Sequence, residues 1–116
     1  MKSEREPIEV AWFGALCDDD YEYLGVADTE RQSSWGHCSE IVETADELGF
    51  DNVLLPSGYE LGIDPAAIAA AIATRTRRIN LLVAVRMGEL WLPPLARQLA
   101  TIDHFSNGRL TVNIIS

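Results

Sequence analysis

Cysteine is scarce: only Cys17 and Cys38 occur in 116 residues. Their separation matches no zinc-ligand spacing, so neither a disulfide framework nor a metal centre is expected, and they read as one buried and one loop thiol in a reducing compartment. No apolar run approaches the ~20 residues of a membrane-spanning helix. Met1 to Pro7 carries Lys2, Glu4, Arg5 and Glu6 and lacks the apolar stretch of a secretory signal. The expectation is a cytoplasmic protein with no membrane partner and with residues 1–7 disordered. Basic residues are also few, 9 against 18 acidic ones, for a formal charge of -9. That surplus would repel phosphates, which excludes nucleic acid as a partner, and serves solubility instead. Nor does any glycine-rich loop open a helix in the way a phosphate-transferring enzyme requires.

What is present is an alternation. From Ile8 to Ser116 the chain scans as strand, helix, strand, helix, strand, helix, strand, the pattern of parallel βαβ units with right-handed crossovers. Four strands and three helices make the N-terminal half of a (β/α)8 TIM barrel, whose usual length is ~250 residues. The expected fold class is therefore α/β, a single partial TIM-barrel domain over residues 1–116 that ends at its fourth strand. Asn107-Gly108 stops the third helix, and the strand through Leu110, Val112, Ile114 and Ile115 then ends the chain without a second neighbour.

The first strand, Ile8 to Gly14, loses polar alternation after Glu9, as expected of a central strand covered on both faces. A long polar loop from Cys17 to Ser34 follows, and such loops at strand carboxyl ends commonly carry function. Its Asp18-Asp19-Asp20 run lacks the alternating ligands and glycine turn of a hard-cation loop, and reads as solvated rather than metal-binding. The first helix spans Ser34 to Leu48, with Cys38, Ile41, Val42, Ala45 and Leu48 on one apolar stripe and Gly49 as its stop. His37 near its start reads as a surface residue, with a functional role left open by the adjacent loop. Asn52 to Leu55 is the second strand, and Asp64 with Pro65 begins an alanine-rich second helix running to Thr74. Arg75, Arg77 and Arg78 complement that helix's dipole. The third strand is Ile79 to Val85. Pro93 and Pro94 open the third helix, which buries Leu95, Leu99, Ile102 and Phe105.

Four polar positions stand out. Arg86 places a cation at the carboxyl end of a barrel strand, where ligands bind, which makes it a functional candidate. Asn113 interrupts an apolar strand and must find a hydrogen-bond partner or contact a ligand. Asp103 and Arg109, by contrast, flank the amino-terminal end of the fourth strand, the stability face of a barrel, and read as structural.

The stretch Ala96-Arg97-Gln98-Leu99-Ala100-Thr101-Ile102-Asp103-His104-Phe105-Ser106-Asn107-Gly108-Arg109 resembles the third-helix signature of the bacterial luciferase-like, flavin-dependent monooxygenases, in particular the alkanesulfonate monooxygenase branch. The segments 46–51, 54–58, 82–86 and 112–116 follow in family order, and Tyr23-Leu24-Gly25 fits that branch as well. The resemblance implies a TIM barrel that binds reduced FMN delivered by a separate flavin reductase and uses O2 to oxidise a small organic substrate. The residues at its flavin-lining positions are Ser57, Arg86, Met87, Asn113 and Ser116, with no catalytic residue assigned. It also implies a non-prolyl cis peptide after the third strand, within Val85 to Gly88.

Two departures argue against a sulfonate as substrate. Cys17-Asp18-Asp19 and Glu60-Leu61-Gly62 stand where the sulfonate branch has a histidine and a cysteine, and acidic groups at the mouth would repel an anion. The phosphate loops that follow strands seven and eight of a barrel are not among these residues. The 116-residue chain alone is therefore expected to have little or no monooxygenase activity. Both edge strands are expected to be unpaired, favouring a homo-oligomer or association with a complementary half-barrel, and a catalytically inactive module acting by such pairing is the alternative function.

Overall fold

A computed structural model describes residues 7–17, 23, 26, 30–59 and 62–116. The elements are β1 (Ala11–Phe13), α1 (Trp35–Leu48), β2 (Asn52–Leu55), α2 (Pro65–Ile72), β3 (Asn80–Arg86), α3 (Leu92–Ser106) and β4 (Leu110–Ile115). The four strands form one parallel sheet in the order β1-β2-β3-β4. This is the expected βαβ succession, with β1 and β4 at the edges.

The helices cover one face of the sheet. Val53, Leu55, Leu81, Val83 and Val85 alternate along β2 and β3 and are buried against Val42, Ala45, Ile68, Ala69, Ile72, Leu95 and Ile102. Each such branched side chain contributes about 1.5–3 kcal/mol on full burial. Alanines at 66, 69 and 73 are buried in α2 and its C-cap, where a larger side chain would hold the helix away from the sheet. The intervening residues Leu54, Leu82, Ala84, Arg86 and Asn113 lie on the opposite face, the inner side of a barrel arc.

Helix ends match the expected chemistry. The Ser34 hydroxyl accepts the His37 amide, and the Asp64 carboxylate accepts the Ala67 amide at 2.7 Å. Gly49 at φ 84° and Asn107 at φ 56° end α1 and α3 in the left-handed conformation. The second helix stops at Ile72 rather than Thr74, where the chain turns and the amides of Arg75 and Thr76 both donate to the Ile72 carbonyl.

The amino-terminal end of the sheet is tied by one buried and one half-buried charged group, Asp46 and Arg109. The Asp46 carboxylate accepts the backbone amides of Arg77 (2.9 Å), Arg78 (2.9 Å) and Ile79 (2.7 Å). Burial alone would raise its pKa, but these three donors and the charge of Arg109 outweigh burial and hold the carboxyl below its ordinary value. Arg109 donates to the carbonyls of Ser106, Ile79, Ala73 and Thr76 and to the Thr76 hydroxyl, at 2.7–3.1 Å. Arg109 is thus structural, as its position at this end implies.

Several expectations are corrected. The first strand is three residues long, exposed at each of them, and an edge rather than a central strand. Its apolar run is real, but among the described residues only β2 pairs with it. Leu48 (72% exposed) and Phe105 (47%) sit on the predicted helical stripes yet face no packed element. No cis peptide occurs among the described residues, Val85 to Gly88 included. The third strand begins at Asn80 and includes Arg86. Asp18-Asp19-Asp20, Leu24, Gly25, Glu60, Leu61 and residues 1–6 of the N-terminal segment lie outside the described residues.

Candidate active site at the carboxyl ends of the strands

Arg86 organises this end of the sheet. It is the last residue of β3, and strand alternation turns its side chain to the inner face, shared with Ala84 and Asn113. From there Nη2 donates to the Ser57 carbonyl at 3.0 Å and Nη1 donates to the Ser116 carbonyl at 2.5 Å. One guanidinium therefore ties the chain leaving β2 to the chain leaving β4. The structure brings together three of the residues singled out from sequence, Ser57, Arg86 and Ser116. Charge-assisted bonds of this kind contribute more than neutral ones, about 1.5–3 kcal/mol each.

The remaining Arg86 surface is also engaged. Nε lies 3.3 Å from a carboxylate oxygen of Glu89, within ion-pair range, but it is buried and lacks an aligned hydrogen bond. The guanidinium carbon sits 3.9 Å from the centre of the Tyr59 ring. Neither Tyr59 nor Glu89 was recognisable from sequence as part of this cluster. An aromatic two residues past Ser57 is the only local signal for Tyr59, and its partner lies a full βαβ unit away.

Met87 joins through its backbone, donating its amide to the Ile115 carbonyl at 3.1 Å, and its side chain is exposed. Asn113 pairs in register with Ala84 two residues before Arg86, and its half-buried amide has no hydrogen-bond partner among the described residues. It is therefore available to a ligand at the mouth.

The chain after β2 folds over the end of β1. Ile63 donates to the Leu16 carbonyl at 3.1 Å, and a Cβ on Gly62 would overlap that same carbonyl oxygen. Glycine is required there by the closeness of two backbones. A small cavity of about 200 Å³ lies beside this crossing, with Cys17, Ser57, Gly62 and Glu89 in its wall. A larger one, about 850 Å³, lies at the opposite end among Glu43, Asp46, Glu47, Arg75, Arg77 and Arg78. Its charges are internally matched, with Arg75 paired to Glu43 and set over the Trp35 ring at 5.5 Å. The smaller cavity is the one at the ligand-binding end of the fold.

The mouth suits a flat heteroaromatic ring better than a phosphate. It offers an unengaged amide on Asn113, an exposed aromatic ring on Tyr59 and a polar strand-end backbone. Among the described residues the cation there, Arg86, already spends both terminal nitrogens on carbonyls.

Fold and mouth together define an α/β arc of the TIM-barrel type, with polar groups converging at its strand carboxyl ends. Residues 23–116 match the luciferase-like monooxygenase family, and the chain belongs to that family. It is 62% identical over 115 positions to a sulfoquinovose monooxygenase of Novosphingobium aromaticivorans, covering 93% of this chain and 32% of the relative. A sulfoquinovose monooxygenase of Agrobacterium fabrum is 51% identical over 114 positions, covering 98% and 30%. The chain thus spans under a third of the length of these curated relatives. Among solved structures it superposes on EDTA monooxygenase from Chelativorans sp. BNC1 with TM-score 0.77 at 22% identity. It also superposes on riboflavin lyase with modified FMN and riboflavin, at TM-score 0.80 and 18% identity. The two alignments cover 96% and 95% of this chain and 30% of each neighbour, and establish the shared fold.

Proposed function

We propose that this chain forms the N-terminal portion of a reduced-FMN-dependent, two-component monooxygenase that uses O2 to oxidise a small sulfonated sugar. The observation that carries this reading is the convergence of Ser57, Arg86 and Ser116 at the strand ends beside the unengaged Asn113 amide, in a chain of the luciferase-like family. Bound reduced flavin supplies the electrons that activate O2. The residues of this chain position the ring. Asn113 offers a hydrogen-bond donor and acceptor to its polar edge, and the Arg86 clamp fixes the Ser57 and Ser116 backbones that border it. The apolar inner-face residues Leu54, Leu82 and Ala84 keep water from the floor of the mouth.

The names of the two curated relatives favour sulfoquinovose, a sulfonated sugar, over an unspecified organic substrate. The acidic positions that argue against a sulfonate, Asp18, Asp19 and Glu60, lie outside the described residues. A flavin reductase is the implied partner.

An anaerobic titration of FMN into the intact protein tests the cofactor reading. Saturable binding of reduced FMN is the expected result, and no binding in either redox state contradicts it.

A second reading, a module that acts by association, is favoured by the apolar residues along both edges. Trp12 and Phe13 on β1 and Val112 and Ile114 on β4 are all exposed. Pairing of β4 with the β1 edge of a second copy, or of a complementary half-barrel, would bury them.

A further inference from the structure

We propose that Tyr59, backed by Arg86, is a stacking platform for the flavin ring, and that the cation behind it biases the platform toward the reduced form. The inference rests on the flavin reading above and assigns the contact that reading leaves open.

Tyr59 is 83% exposed, yet it is not a loose surface aromatic. Its ring lies 3.9 Å from the guanidinium carbon of Arg86, within cation–π range. The guanidinium is itself fixed by the Ser57 and Ser116 carbonyls, and the Arg86 side chain is only 11% exposed. A flat ring is therefore held at the carboxyl end of β2, one face on the cation and the other face open. Little further ordering is needed for a planar ligand to bind there, which favours affinity.

The cation also shapes preference. A positive charge against one face of an aromatic ring draws electron density toward itself, so the open face favours an electron-rich partner. Reduced flavin is the electron-rich state of the isoalloxazine. The Glu89 carboxylate lies 3.3 Å from Nε at the edge of the guanidinium, without an aligned hydrogen bond. Ring stacking of this kind changes affinity by about two- to tenfold.

The test titrates FMN, oxidised and anaerobically reduced, into the intact protein and its Tyr59→Phe and Tyr59→Leu variants. Both substitutions fall on an exposed side chain, so unfolding temperatures should match the parent, and this is measured alongside. Tyr59→Phe keeps the ring and should bind like the parent. Tyr59→Leu should weaken binding of reduced FMN about three- to tenfold, weaken that of oxidised FMN less, and brighten bound oxidised flavin by removing the stacked quencher. Equal affinity and equal fluorescence in the parent and Tyr59→Leu overturn the platform while leaving the flavin reading in place. Failure of the parent itself to bind FMN in either state overturns both.

Discussion

The carboxylate of Asp46, on α1, accepts the backbone amide of Ile79 at 2.7 Å, joining the first helix to the approach of β3 across 33 residues of sequence. The amides of Arg77 and Arg78 converge on the same group. Replacing Asp46 with alanine leaves three amides without their acceptor and should cost about 2–4 kcal/mol. The pH dependence follows from the direction of its shift. A carboxyl held below its ordinary value of 3.8 contributes stability above that value and loses it as pH falls through the folded-state pKa. Denaturant unfolding at neutral pH should separate parent and Asp46→Asn, and the gap should narrow below about pH 4.

Arg109 makes a stricter demand. Its five donated bonds use the fixed fork of a guanidinium, and a lysine has only three donors on one nitrogen. Arg109→Lys should destabilise by about 2–3 kcal/mol despite conserving charge. A thermal melt equal to that of the parent would show that the bonds are dispensable.

Gly62 predicts a steric effect at the other end. An alanine there must displace the Leu16 carbonyl or move the loop after β2, and should cost about 1–3 kcal/mol. Hydrogen exchange at Ile63, whose amide bonds that carbonyl, should accelerate in Gly62→Ala and remain unchanged near Asp46.

The edges predict association. With Ile114 68% exposed on β4, the chain should sediment as a dimer or higher species, and Ile114→Lys should shift it toward monomer. A monodisperse monomer for the parent contradicts the pairing reading.

Much of the fold was legible from residue pattern because its signals are local. Ser34, Gly49, Asp64-Pro65 and Asn107-Gly108 mark helix ends through chemistry confined to a few residues, and all appear where expected. The alternation of strands and helices from Ile8 to Ser116 foretold the four-stranded parallel sheet. What failed depended on neighbours. The run from Ile8 to Gly14 has the composition of a central strand, but pairing with β2 alone leaves only Ala11–Phe13 in the ladder. Leu48 and Phe105 satisfy helical periodicity, which reports a stripe but not whether another element reaches its margin.

The site divides along the same line. Arg86 was recognisable from its place at a strand end, and Asn113 from being polar within an apolar strand. The clamp between the Ser57 and Ser116 carbonyls was not, since it joins three segments through backbone atoms that carry no residue-specific signal. The Tyr59 contact is invisible for a different reason: it joins two side chains 27 positions apart that only the fold brings together.

The central claim, that these residues build the N-terminal wall of a flavin-dependent oxygenase, is tested most directly by complementation. The 116-residue chain is mixed with the remaining part of the Novosphingobium aromaticivorans relative and supplied with FMN, a flavin reductase, O2 and sulfoquinovose. The account predicts sulfoquinovose loss coupled to oxygen uptake in the mixture and little with either piece alone. No turnover from a mixture shown to associate, or robust turnover by the 116-residue chain alone, would contradict it.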